Sequence, residues 1–141
     1  MVSVSLLAIL IAIFVVSSNP VSTLISSRNF ERQADLNLIM NAISQNIGDN
    51  NGTFNCLSGS IPTATTTMAS TTYLTGAYNI APCIIPVYMD ALPYDQSSTS
   101  AYWTGTTSNN TAYFIIINSL TGRVTLTAPY SEGSTTISVT R

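Results

Sequence analysis

The sequence contains no histidine and no lysine, and only 7% of its 141 residues are charged. An ordinary soluble domain carries about 25% charged residues. Without histidine, a hydrolase triad that uses an imidazole as its base is excluded. A zinc site built from histidines together with the two cysteines is excluded as well. These absences remove the commonest arrangements for hydrolysis and for structural zinc.

Phosphate-binding loops are also missing, because neither GxxxxGK[ST] nor GxGxxG occurs. Among the six acidic residues, Asp90 and Asp95 lie close together in a region rich in turns. We interpret them as solvated or turn-capping side chains, and a calcium site completed by loop carbonyls is an alternative. A catalytic carboxylate pair is a further alternative. The sequence therefore predicts a protein that is not an enzyme and that needs no cofactor and no metal.

Positive charge is sparse, and the net charge is −2. Of the four arginines, only Arg28 and Arg32 are close together, and Glu31 and Asp35 flank them. Binding to a phosphate backbone needs clustered cations, so we expect no nucleic-acid partner. Serine, threonine and asparagine supply the polar surface instead, which is typical of proteins outside the cell.

The two cysteines are Cys56 and Cys83. They form either a disulfide or two buried thiols. The export-type N-terminus described next favours the disulfide, because disulfides persist in oxidising compartments. A small domain with a limited core gains from such a link.

The N-terminus carries a long apolar run, Val4 to Val16, interrupted only by Ser5. A cleavable secretory signal would carry positive charge ahead of this run, and residues 1–5 carry none. A permanent membrane anchor needs about 20 apolar residues. This run has about 16 from Met1, which span about 24 Å. The third interpretation is a helix that rests in a membrane until it packs among copies of itself, and an apolar surface on every side suits that fate.

Pro20 predicts a kink or break in the helix, because it lacks an amide hydrogen and clashes with the preceding turn. Helical periodicity then resumes, with Leu36, Ile39, Met40, Ile43 and Ile47 on one face. Arg28, Glu31, Arg32 and Asp35 fall on other faces, where Arg28–Glu31 and Arg32–Asp35 are the attractive pairs. We expect one long helix, interrupted at Pro20, that ends near Gly48 and lays its last third on a head domain.

Beyond Gly52 the pattern becomes β-prone. We predict strands at residues 73–80, 84–89, 112–118, 123–127 and 135–140, with a hairpin loop at 118–122. Prolines keep much of residues 58–100 irregular. The expected fold is α+β, with the long Pro-interrupted helix packed on a small antiparallel sheet.

Two further features concern the surface. Asn51 and Asn109 match the acceptor pattern for N-linked glycans, although such short matches occur by chance in a chain rich in Asn and Thr. Aromatic residues are frequent in the polar part of the chain, and we interpret most as core or half-buried strand residues. A few exposed ones would form an adhesive patch. The aromatic residues concerned are Tyr73, Tyr78, Tyr88, Tyr94, Tyr102, Trp103, Tyr113 and Tyr130.

The order of apolar helix, proline near position 20, amphipathic continuation and cysteine-linked β head resembles the type IV pilins and pseudopilins. The match is one of architecture over the whole chain and is closest over residues 6–47. The stretch RNFERQADLNLIMNAI resembles the charged and then Leu/Ile-rich part of their helix. Leu92-Pro93-Tyr94-Asp95 resembles the loop before their last strands, and residues 112–128 resemble their closing hairpin. The amphipathic part at residues 28–47 favours the bacterial over the archaeal type.

The resemblance implies a fibre subunit that polymerises with itself, waits in the inner membrane, and is added by a pilus assembly machinery. Residues 1–27 would form the membrane and filament-core helix, and residues 28–141 the head at the cell surface. Met1 would be the processed, methylated terminus, and Ser5 stands where the family usually has a glutamate that pairs with a neighbour's amine. The implied assembly residues are Met1, Ser5, Leu6, Leu7, Ile9, Leu10, Ile11, Ile13 and Phe14.

Two alternatives to the pilus subunit stay open. One is a pseudopilin of a secretion or DNA-uptake machine, which forms only short filaments. The other is a membrane-anchored surface module for binding or adhesion.

Overall fold

The computed structural model describes residues 20–141. The predicted assembly residues from Met1 to Phe14 lie outside the described residues. The chain first forms a 30-residue helix, α1 (Pro20–Asp49). Its end is closed by the backbone amide of Gly52, which donates to the carbonyl of Ile47 at 2.9 Å. Gly52 has φ +84°, a conformation that glycine adopts without steric cost.

The apolar stripe of α1 packs on the head as predicted. Leu36, Ile39, Met40 and Ile43 are each no more than 1% exposed, and Ile47 is half-buried against the same core. Spacings of three and four residues place these side chains on one face of the helix. The predicted position of Arg32 on a polar face is wrong, because this side chain is buried with the stripe.

Five strands form one antiparallel sheet in the order β1-β3-β4-β5, and β2 also pairs with β3. Both β1 and β2 pair with Asn110 of β3, so they lie on opposite sides of that strand. The central strand β3 is long enough for β2 and β4 to share one of its edges in succession. The strands are β1 (Thr66–Ala69), β2 (Tyr102–Gly105), β3 (Ser108–Ile117), β4 (Val124–Ala128) and β5 (Ile137–Thr140).

The last three strands and the hairpin between β3 and β4 confirm the α+β prediction. The strands predicted at residues 73–80 and 84–89 are wrong. The first segment holds a turn at residues 73–76 and one isolated bridge at Tyr78, and the second begins at the last residue of a short helix, α2 (Ala81–Ile84), and continues as turn. Pro82 lies in the first turn of α2, where a missing amide hydrogen is tolerated. β1 and β2 were not predicted.

The core lies between α1 and one face of the sheet. Ile115, Leu126 and Val139 are cross-strand neighbours in one row, and Ile115 and Leu126 are fully buried. The neighbouring row, Phe114 and Thr127 with Ser138, points to the other face and stays half-buried or exposed. The alternation of buried and exposed residues along β4 is the pattern of a sheet with one face on a core.

A disulfide joins Cys56 to Cys83, as predicted, with their Cα atoms 4.6 Å apart. It links the loop after α1 to α2. Beside it, the buried amide of Asn46 donates to the carbonyl of Asn55 at 2.9 Å and to that of Cys83 at 3.0 Å. The Asn46 side-chain oxygen accepts from the Asn55 amide at 2.8 Å. One helix residue therefore fastens both sides of the disulfide to α1.

Candidate functional site

The junction between α1 and the head is built around the buried guanidinium of Arg32. Its Nε donates to Asp95 Oδ2 at 2.8 Å, and the side chains of Arg32 and Asp95 are only 2% and 3% exposed. A terminal nitrogen donates to Glu132 Oε1 at 3.1 Å and also to the Ser97 hydroxyl. The remaining nitrogen donates to Asn29 Oδ1 at 2.7 Å. We call Asn29, Arg32, Asp95, Ser97 and Glu132 the junction cluster.

The charge of Arg32 is retained despite its burial. Burial alone would lower the pKa of the guanidinium, but hydrogen bonds and charge attraction from Asp95 and Glu132 outweigh it, and the net pKa is raised. A buried charge is tolerated only when its partners satisfy it, and every nitrogen of this guanidinium has one. The cluster is therefore a charged link between helix and head in which each guanidinium nitrogen makes at least one hydrogen bond.

Backbone groups hold the partners of Arg32 in place. The side-chain amide of Asn29 donates to the backbone carbonyl of Glu132 at 2.8 Å, and the backbone amide of Glu132 donates back to Asn29 Oδ1 at 3.1 Å. The backbone amide of Asp95 donates to the carbonyl of Thr111 in β3 at 3.0 Å. The Ser97 amide donates to Asp95 Oδ1 at 3.0 Å. The junction cluster thus joins α1 to two loops and to the central strand.

A second polar contact lies one turn further along the helix. The hydroxyl of Tyr113, a fully buried residue of β3, donates to Asp35 Oδ2 at 2.7 Å. Burial raises the pKa of the Asp35 carboxyl. Burial, followed by the neighbouring Asp35 carboxylate, raises the pKa of the Tyr113 hydroxyl. The tyrosine therefore keeps its proton and serves as a donor to the helix.

A cleft of about 370 Å³ opens beside these contacts, between Arg28 and Glu31 of α1 and Tyr94 and Gln96 of the facing loop. Two of its three carboxylates are engaged: Asp95 bonds Arg32, and Asp35 bonds Tyr113. Within residues 20–141 no cluster of three or more His, Cys, Asp or Glu side chains could hold a metal ion. The calcium alternative at Asp90 and Asp95 is contradicted, because Asp95 is committed to Arg32 while Asp90 lies exposed.

The expected ion pairs along α1 are replaced by pairs with the head. Among the described residues, the ion pairs are Arg32–Asp95, Arg32–Glu132 and Arg28–Glu132, the last at 3.5 Å. Neither Arg28–Glu31 nor Arg32–Asp35 forms. The charges that looked like local helix partners in the sequence therefore fasten the helix to distant loops.

The start of α1 extends beyond the buried part of the junction. No residue between Pro20 and Glu31 is buried, although Ile25 and Asn29 are half-buried. Val21 is 64% exposed and Leu24 is 58% exposed. Apolar side chains exposed on a projecting helix are typical of a surface that is covered in an assembly. Among the described residues, no helix has both the length and the hydropathy needed to cross a bilayer.

The other predicted site residues have mixed outcomes. Pro20 is the first described residue, so a helix break before it lies outside the described residues. Asn51 is exposed in the turn after α1. Asn109 is wrong as a glycan acceptor in the folded chain, because it is 1% exposed and its amide donates to the Gly105 carbonyl at 3.1 Å.

The aromatic residues are mostly in or against the core, as predicted. Tyr113 and Tyr78 are buried, and Tyr88 and Trp103 pack against the core. Tyr94 and Tyr102 are half-buried. Tyr73 and Tyr130 are exposed.

Sequence reasoning did not find the junction cluster. Arg32 lies four residues before Leu36 and so extends the apolar stripe backwards along the same face. That spacing is the one signal in the sequence that places it toward the core. No family model matches the chain, and no curated protein or solved structure does.

Proposed function

We propose that this chain is the structural subunit of an extracellular type IV pilus. It polymerises with itself through the apolar run before Pro20 and displays its head on the outside of the fibre. The observation that carries the proposal is the projecting start of α1. Before the ion pair of Arg28 with Glu132, the helix keeps apolar side chains exposed at Val21 and Leu24, and in the sequence this part follows the apolar run at residues 4–16.

The construction of the junction supports this role. A fibre subunit must hold its shaft helix and its head in one orientation. The junction cluster supplies directional, charge-assisted hydrogen bonds from α1 to two separate loops. The Cys56–Cys83 disulfide suits an extracytoplasmic head, because such bonds persist in oxidising compartments.

The physical drive for assembly would come from the apolar run. Burying one large aliphatic side chain from water is worth about 1.5–3 kcal/mol, so the run would gain tens of kcal/mol relative to water. Relative to lipid the gain is much smaller, and helix packing together with the work of the assembly machinery would supply the difference. The subunit would therefore wait in the inner membrane until it is extracted and packed.

The test is electron microscopy of material sheared from cells that produce the protein, with mass spectrometry to identify the subunit. We expect long uniform fibres made of this chain. Ile11→Asp, which places a charge in the apolar run, should abolish the fibres. Leu57→Asp, at a head residue that is 92% exposed, should leave them intact.

Two results would overturn the proposal. One is a protein that stays in the membrane fraction without fibres, which would favour a short pseudopilus or a membrane-anchored binding module. The other is fibre formation that Ile11→Asp leaves unchanged.

A further inference from the structure

A groove of about 200 Å³ lies on the side of the sheet that carries Thr67 and Phe114, away from the core. Tyr73 and Leu74 come from the turns after β1, and Tyr130 comes from the loop after β4. These three side chains are exposed by 44%, 41% and 55%. Ser100 and Asn110 contribute polar groups, and no charged residue lines the groove.

A second cavity, of about 390 Å³, shares two lining residues, Ser100 and Tyr130, with the first. Its wall includes the hydroxyl-rich segment at residues 97–100. The charged residues that reach this cavity are neutralised by partners. Arg28 pairs with Glu132, and Arg32 pairs with Asp95 and Glu132. We call the first cavity, whose wall carries no charged residue, the tyrosine groove.

Two parts of the wall of the tyrosine groove are held by contacts within the protein. The Asn110 side-chain amide donates to the carbonyl of Ser100 at 2.9 Å, which ties the hydroxyl segment to β3. Tyr73, although 44% exposed, stacks edge-to-face on Tyr102, with ring centroids 5.5 Å apart. A site held in its binding geometry loses less entropy when a ligand binds.

We propose that the tyrosine groove binds a neutral oligosaccharide chain. Sugar rings present apolar C–H faces that pack on aromatic rings, and hydroxyl rims that pair with serine and amide groups. Tyrosine and serine together give a rigid amphipathic contact with adaptable hydrogen bonding. No charged residue lines the groove, so it offers acidic and basic polymers no electrostatic attraction. This site works on the single subunit and does not depend on polymerisation.

The test is a titration of the isotope-labelled full chain in mild detergent, followed by NMR. The probes are cellohexaose, maltohexaose and chitohexaose, with polygalacturonate as an acidic comparison. We expect at least one neutral hexaose to shift the signals of Tyr73, Ser100 and Tyr130. Tyr130→Ala should weaken that binding about tenfold, and Tyr130→Phe should keep most of it. Leu120→Ala is the control, because Leu120 is 94% exposed on the distant β3–β4 loop.

Three results would overturn the inference: no shift with any neutral hexaose, binding that Tyr130→Ala leaves unchanged, or stronger binding of polygalacturonate. Fibres without sugar binding would remove this inference and leave the proposed function standing. Sugar binding without fibres would overturn the proposed function and leave this inference standing.

Discussion

Two parts of the head share one apolar core but differ in the additional contacts that fasten them to it. The sheet part, residues 108–141, carries β3, β4 and β5 and closes its core through cross-strand rows such as Ile115 with Leu126. The loop part, residues 50–107, has only the short strands β1 and β2 and the short helix α2. It is fixed by the disulfide, by the Asn46 amide and by the ion pair of Asp95 with Arg32.

The comparison shows that, in a chain with few charged residues, one buried ion pair can fasten a long loop segment to the helix. In the sheet part, burial of apolar side chains is spread over many residues, so no single polar contact decides the structure. In the loop part, the burial of side chains such as Met68, Ile80 and Ile84 is supplemented by a few polar or covalent contacts, each of which fixes a long segment. We therefore expect single changes at those contacts to loosen the loop part first, while the sheet part stays protected.

The largest loss of stability is expected from Arg32→Met, because this change removes the ion pair that fastens the loop part to α1. Asp95 would be left buried without its cation, and breaking a buried pair in this way costs about 3–5 kcal/mol of unfolding free energy. The measurement is urea unfolding of the full chain in mild detergent. Adding Asp95→Leu to Arg32→Met should recover part of the loss, because the uncompensated charge is then gone.

The matched control is Arg28→Met. Arg28 also pairs with Glu132, but its side chain is 44% exposed. Exposed pairs are worth about 0–1 kcal/mol, so this change should be nearly neutral. Equal losses for Arg28→Met and Arg32→Met would contradict the role given to the junction cluster.

The next largest effect is expected from replacing both cysteines with serine. Cys56 and Cys83 are 27 positions apart, and on the chain-entropy model their link stabilises the fold by about 3–4 kcal/mol. The measurement is hydrogen exchange of this variant. Amides in residues 50–107 should lose protection before those of β3 and β4. Uniform loss of protection across both parts would show that they unfold as one unit.

The smallest expected effect is a dependence of the unfolding free energy on pH, to which both parts contribute a buried tyrosine. Burial raises the pKa of Tyr78, in the loop part, to about 12, and it also raises the pKa of Tyr113 in the sheet part. Unfolded tyrosine releases its proton near pH 10. Above that pH the native state holds more protons than the unfolded state, so stability falls as pH rises, by up to about 1.4 kcal/mol per pH unit for each tyrosine.

The check is the urea midpoint measured on the alkaline side. Tyr113→Phe should flatten the decline, because the variant has one fewer buried phenol to titrate. Leu120→Ala is the control and should leave the slope unchanged, since Leu120 does not ionise and is 94% exposed. If the Tyr113→Phe variant showed the same slope as the unchanged protein, the pKa of the Tyr113 hydroxyl would not be raised in the folded state.

Sequence patterns predicted the parts of the fold that depend on neighbours in the chain. The stripe from Leu36 to Ile47 has the helical period, and Ile137 and Val139 alternate with polar residues along β5. These signals are local, and the structure confirms them. The disulfide was predictable because the chain has only two cysteines.

The parts that were missed depend on distant partners. β1 lies in a Thr-rich stretch that resembles a loop, and it becomes a strand by pairing with β3 more than 40 positions later. Ile80 and Ile84 are buried at the start and the end of the short helix α2. Because β-branched residues favour strands, their presence predicted a strand where the chain forms one turn of helix. Arg32 resembled a surface charge because its partner Asp95 is 63 positions away.

The projecting start of α1 has a mechanical consequence. If α1 were pulled from its start, the force would pass along the helix, which rises about 1.5 Å per residue. It would reach the head at Arg28 and Asn29, which contact Glu132. Arg32 would then pass it to Asp95 and Ser97 as well as to Glu132. The guanidinium of Arg32 would therefore spread a pull on the helix over two separate loops of the head.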